Sequence, residues 1–209
     1  FPAMADRVRL RLCDPGPAAA AAMADARAHV ERVAATCTRF DPDSDLMRAN
    51  RAGREAVRVD PVCAAAIARA HEAHVVTGGL FDPRVDLAAL GYATSWRGST
   101  AASSLAPVTA VRRAGRWSPR LAGDLVAVGP DPLDLGGIGK GFAVAGAASI
   151  LAGHAAAGLV EAGGDLHALG AGPDGTGWLV GVEDPHGGPD PVAVLRLVDT
   201  GCATSSTRV

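Results

Sequence analysis

The chain has 209 residues, 48% of them hydrophobic and 20% charged, with a formal net charge of −2. Twenty basic side chains against 22 acidic ones, with no run of like charges, argue against a polyanion such as nucleic acid as partner. No apolar stretch reaches the ~20 residues of a membrane-spanning helix, so a globular chain with a core of Val, Leu, Ile and Ala is expected.

Val8-Arg-Leu-Arg-Leu12 alternates apolar and basic residues and predicts a half-exposed strand, closed by Asp14-Pro-Gly-Pro17. The Ala-rich stretch from Ala18 to Cys37 reads as a helix. Thr38 to Asp45 is a polar loop whose Asp and Ser side chains can cap a short helix, Leu46 to Asn50. Ala56 to Val59 is strand-like. Asp60-Pro61 then gives an N-cap with proline at the first helical position, predicting a helix to about Val76. Two glycines and a proline make Thr77 to Pro83 a loop.

Pro107 to Arg112 and Leu125 to Val128 read as strands, and Pro130-Asp-Pro132 turns the chain into Asp134-Leu-Gly-Gly-Ile-Gly-Lys140-Gly141. A helix should follow from about Gly141 to Ala152. Gly158 to Glu161 and Leu166 to Leu169 are strand-like around Gly163-Gly164. Trp178 to Val182 and Pro191 to Val198 predict a late antiparallel hairpin. Interspersed helices and strands with such a hairpin indicate an α+β class with mixed or antiparallel sheets. The absence of a long linker predicts a single domain over residues 1–209.

The segment Asp134 to Gly141 is the strongest local signal. Its glycines permit close backbone approach, and a helix N-terminus presents N–H groups to an anion. Lys140 adds a positive charge and Asp134 an acceptor. The spacing matches neither GxGxxG nor GxxxxGK[ST], so the residues alone leave a phosphate cradle and an ordinary strand–helix turn both open. Gly78 to Pro83 reads foremost as a tight turn in which Asp82 caps the following backbone. Gly163-Gly164-Asp165 suits a close approach or a bulge, and Thr204-Ser-Ser-Thr207 a polar loop.

His71 and His74 share a helix face, but no third ligand has diagnostic spacing with them, so a surface pair is expected. Cys13, Cys37, Cys63 and Cys202 form no CxxC motif and are expected as small buried hydrophobes. No secretory leader pattern stands at the start, and the compartment stays open.

Taken in order, the loops resemble the ApbE family, the FAD:protein FMN transferases. The likeness runs from Phe1-Pro-Ala-Met4 through Phe40-Asp-Pro-Asp-Ser44-Asp-Leu46 to Asn50. It continues with Gly79-Leu-Phe-Asp-Pro83, Asp134 to Gly141, Gly163-Gly-Asp165, Val182-Glu-Asp-Pro185 and Ala203-Thr-Ser205. The resemblance implies an ApbE-like α+β fold that binds FAD and magnesium. It also implies transfer of FMN from FAD to a Thr or Ser of an acceptor flavoprotein, with release of AMP.

By position, Met4, Phe40, Leu80, Phe81, Asp82, Asp134 and Lys140 would contact FAD. The Gly137 main-chain carbonyl would be a metal ligand. Ala5-Asp6 stands where the family has Gly-Thr, Ala145 where it usually has Asp, and Ser206 where it usually has Gly. The sequence ends at Val209, ahead of the family's His-x-x-Asp-Pro segment and later Asp…Thr metal ligands. The resemblance therefore assigns no catalytic residue here, and a truncated or shortened member that holds FAD without transferring FMN is the alternative expectation. A third is a relative in shape only, acting through protein contacts.

Overall fold

The computed structural model describes residues 1–84 and 115–205. In chain order the elements are β1 (Pro2–Ala3), β2 (Asp6–Pro15), α1 (Ala19–Thr36), α2 (Asp45–Ala52), β3 (Val57–Arg58), α3 (Pro61–Val76) and β4 (Arg120–Ala122). There follow β5 (Leu125–Ala127), α4 (Gly139–Leu151), β6 (Ala155–Ala162), β7 (Asp165–Leu169), β8 (Trp178–Val182), β9 (Ala193–Leu197) and β10 (Thr200–Cys202). The chain divides into two compact units. We call Phe1–Glu31 with Lys140–Val209 the terminal unit and Arg32–Gly139 the central unit.

The terminal unit is built on a five-stranded sheet of order β1-β2-β6-β7-β10, with β8 and β9 pairing separately. All its pairings are antiparallel. The alternation in β2 was legible as a strand, but the ladder runs on past the expected break, pairing Pro15 with Ala155. Asp14 takes up the bend with φ 50°, and Pro15 sits at the ladder's end, where a missing N–H is tolerated. Ala157, Leu166, Ala168, Trp178 and Leu197 pack into one apolar cluster. The Trp178 indole N–H donates to Leu169 O at 3.1 Å, so burial of that ring leaves no unmet donor.

The central unit carries a three-stranded antiparallel sheet, β3-β5-β4, with α2 and α3. In α3 the buried residues Cys63, Ala66, Ile67, Ala70 and His74 recur every three or four positions, the stripe of a helix with one face on a core. Asp60 accepts from Val62 N at 2.8 Å and Pro61 opens the helix, as the sequence indicated. The predicted strand Pro107 to Arg112 lies outside the described residues. β1, β4 and β10, each two or three residues long, were not anticipated from the sequence.

Candidate functional site

In the central unit the loop from Thr38 to Ser44 is organised by its own polar groups. Ser44 caps α2 by accepting from Met47 N at 3.2 Å, and its hydroxyl donates to Thr38 O at 2.6 Å. Phe40 N donates to Thr38 Oγ1 and Asp43 N to Asp41 Oδ1. These bonds hold Phe40 on the surface, where it is 53% exposed. An aromatic ring in water on an ordered loop forgoes hydrophobic stabilisation. The Arg39 guanidinium lies 4.3 Å from the centre of that ring.

Arg39 also reaches the glycine segment. Its Nε stands 2.8 Å from Asp134 Oδ2, with the two side chains only 18% and 9% exposed. The N–H does not point along that line, so the contact is an ion pair rather than an aligned hydrogen bond. The other Asp134 oxygen accepts from Gly136 N at 2.6 Å, a turn that asparagine and aspartate make with the backbone two residues on. The segment is fixed from behind by Asn50. Its amide donates to Leu133 O and accepts from Leu133 N, both at 2.9 Å. A primary amide can serve a peptide's donor and acceptor together, as a neighbouring strand would.

Two of the four glycines thus answer to the protein's own side chains. A Cβ on Gly136 would stand 2.8 Å from Asp134 Oδ1, and one on Gly137 would stand 3.2 Å from Phe81 Cε2. The turn from Gly78 to Arg84 is equally determined. Asp82 accepts from Arg84 N at 3.0 Å, and the Arg84 guanidinium grips both carboxylate oxygens at 2.9 and 2.7 Å. Arg84 is 7% exposed and also donates to Gly115 O. The Arg84 hydrogen bond is the main reason that the Asp82 carboxyl is held below its usual range. Leu80 is 84% exposed. A cavity of about 520 Å³ runs along this turn, lined in part by His74, Gly79, Asp82, Arg84 and Arg116.

His74 corrects the expected surface pair. It is buried, its Nε2 accepts from Trp117 N at 3.3 Å, and its Nδ1 lies 2.9 Å from Phe81 O. An accepting Nε2 puts the proton on Nδ1, which therefore donates to the carbonyl. The histidine pins the 78–84 turn, a role invisible in sequence because its partners lie 7 and 43 positions away. The cysteines also depart from expectation. Cys63 alone is fully buried and the others are half-buried. The Cys63 thiol is pushed up, first by its hydrogen bond to Cys37 and then by burial, while the same contact lowers Cys37.

In the terminal unit, Ala3 pairs with Asp6 across a two-residue turn in which Met4 and Ala5 have φ 54° and 60°. Ala162 pairs with Asp165 across a matching turn of Gly163 and Gly164, with φ 56° and 91°. The Asp6 carboxylate lies over that second turn, since a Cβ on Gly163 would stand 1.8 Å from its Oδ2. Gly163-Gly164 is therefore a hairpin turn rather than a bulge. Lys140 is half-buried in the first turn of α4. Gly141 faces Asp165, with 3.9 Å between a Cβ placed there and Oδ2.

The predicted residues thus fall into two sets. Phe40, Asp134 and Gly137 share a neighbourhood of the central unit through Arg39 and Phe81, and Leu80 and Asp82 lie on the adjoining turn. Met4 and Lys140 belong to the terminal unit. Arg39, Asn50 and Arg84 were missed as organisers. Only the carboxylates beside them in sequence or in the motifs hinted at a need for cations. Among the described residues no group of three His, Cys, Asp or Glu could hold a metal ion, and no helix is long and apolar enough to cross a membrane.

A protein-family model described as the ApbE family matches residues 4–208. The fold is similar to that of the ApbE protein of Thermotoga maritima, at 24% identity and TM-score 0.78, over 96% of this chain and 67% of that one. It is also similar to the flavin transferase ApbE of Vibrio cholerae, at 21% identity and TM-score 0.78, over 100% and 70% of the two chains. A third similar structure is the flavinyl transferase ApbE of Pseudomonas stutzeri, at 19% identity and TM-score 0.74, over 96% and 67%. No curated protein sequence matches significantly.

Proposed function

We propose a flavin-transfer function from one established premise: the chain belongs to the ApbE family. The protein binds FAD and transfers FMN from it to a Thr or Ser of a target flavoprotein. The acceptor oxygen bonds to the phosphorus of the FMN half, the bridging P–O bond to AMP breaks, and the hydroxyl proton leaves. No described residue is assigned as the base that takes it. Phosphoryl transfer depends mostly on positioning and charge neutralisation, and positioning is the task that the internally bonded loops of the central unit suit.

The observation that carries the reading is Phe40, an exposed ring on an internally bonded loop beside Asp134 and its glycine turn. An exposed aromatic face fits stacking on a flavin or adenine ring. Leu80 offers a second exposed apolar surface, and Phe81, packed on Gly137, lines the same turn. Asp134 retains acceptor capacity beyond Gly136 N and Arg39, since a carboxylate has about four acceptor sites. In the terminal unit the family resemblance nominates Met4 and Lys140 as further contacts. Lys140→Ala should weaken FAD affinity about tenfold if its charge meets phosphate, and an unchanged fluorescence titration would remove it from the site.

Magnesium fits the described residues less well, because no three-carboxylate or histidine set holds it. It enters the proposal only through the Gly137 carbonyl and the phosphates of the bound dinucleotide, the oxygen donors it prefers. A second reading, binding of FAD without transfer, draws support from Asp6. Its carboxylate fills the space over the Gly163-Gly164 turn where the family pattern has a neutral residue. Incubation with FAD, magnesium and a threonine-bearing acceptor, read by mass spectrometry, separates the two. An FMN adduct supports transfer, saturable FAD binding without an adduct supports the second reading, and no FAD binding rejects both.

A further inference from the structure

We infer that Arg39 is a positioning residue of the proposed flavin site, acting through Phe40; the inference rests on the flavin reading above. Its guanidinium makes two contacts with different parts of one planar group. Its Nε pairs with Asp134 at 2.8 Å, and its Cζ lies over the Phe40 ring, 4.3 Å from the centre. The Asp134 end is fixed by Gly136 N and by Asn50's grip on Leu133. Arg39 therefore transmits the position of the glycine turn to a ring that is otherwise half in water.

The consequence for a ligand is orientational. A phenyl group on a surface loop turns freely about its side-chain torsions, and ordering it on binding costs affinity. A guanidinium held against one side of the ring sets that orientation beforehand. The pair also keeps Asp134 neutralised close to a dinucleotide whose pyrophosphate is itself anionic, where a bare carboxylate would repel it. Lysine could supply the charge but not the flat surface, because an ammonium on a flexible stem does not stack as a guanidinium does. The two contributions can thus be taken apart.

The test is a double-mutant cycle in FAD affinity, by flavin fluorescence titration of wild type, Arg39→Lys, Phe40→Leu and the double variant. Melting temperatures confirm that each is folded. Arg39→Lys should weaken binding about threefold while Phe40 is present, because the ammonium keeps the charge but loses the flat stacking surface. In the Phe40→Leu background the same change should have no effect. An equal loss in both backgrounds, or wild-type affinity for Arg39→Lys, would overturn the inference while leaving the flavin reading intact. Absence of FAD binding by the wild type would overturn both, and is told apart by that first titration. Arg39→Ala is the control for charge, since it should weaken binding in either background.

Discussion

The loops that carry the central unit's candidate contacts and the paired turns at Met4-Ala5 and Gly163-Gly164 of the terminal unit are held in different ways. In the central unit every turn that carries a motif residue is tied by side chains to the backbone: Ser44 to Thr38, Asn50 to Leu133, Asp134 to Gly136, Asp82 to Arg84. In the terminal unit one hairpin turn has glycine at both left-handed positions, while its neighbour has Met4 and Ala5 there. Left-handed backbone costs a residue with a Cβ roughly 1–2 kcal/mol. The departures from the family pattern, Ala5 and Asp6, fall on that second turn. At these positions the central loops rest on side-chain hydrogen bonds and the two terminal turns on backbone conformation, although Asp184 shows that the terminal unit uses side-chain bonds elsewhere.

The largest effect should come from cutting the central unit's buried ion pair. Asp82→Ala removes the bidentate partner of the buried Arg84, which keeps Gly115 O, and the Asp131 carboxylate 3.9 Å away. A loss of about 3 kcal/mol, the low end for a broken buried pair, is therefore expected in a denaturant titration at neutral pH. The carboxyl is held below its unfolded value of 3.8. Its contribution is therefore complete above that pH and fades as pH falls through the lower folded value. The gap between wild type and Asp82→Ala should narrow accordingly in acid. A gap independent of pH would mean that the pair does not act through charge.

Asn50→Leu comes next, at about 2 kcal/mol, because Leu133 loses both a donor and an acceptor. If the glycine turn is held from behind as described, FAD affinity should fall with it, measured on the folded fraction. Gly163→Ala should cost at least the roughly 1–2 kcal/mol of left-handed backbone, because the Asp6 carboxyl, with Oδ2 and Cγ 1.8 and 2.5 Å from the new Cβ, must move as well. The smallest change has the opposite sign. Ala5→Gly relieves the strained turn and should stabilise by about 1 kcal/mol, seen as a raised melting temperature. A destabilising Ala5→Gly would show that the two turns are not the same device.

Much of this was legible in the sequence where local chemistry decides the outcome. The Asp60-Pro61 start of α3, the Ser44 cap and the β8–β9 hairpin follow from signals within a few residues. The family order of loops made the α+β fold readable as well. What stayed hidden depends on distant partners. Asn50 meets Leu133 83 positions on, and His74 meets Trp117 43 positions on, so a surface histidine pair looked natural and was wrong. Arg39 was passed over because nothing in Thr38-Arg-Phe40 indicates that the guanidinium folds back over the next ring while reaching Asp134.

Flavin transfer is decided by the mass of an acceptor flavoprotein after incubation with this chain, FAD and magnesium. One FMN linked through phosphate to a single Thr or Ser, with an equal amount of AMP released, is expected. An acceptor of unchanged mass, while FAD saturates the protein, would contradict it.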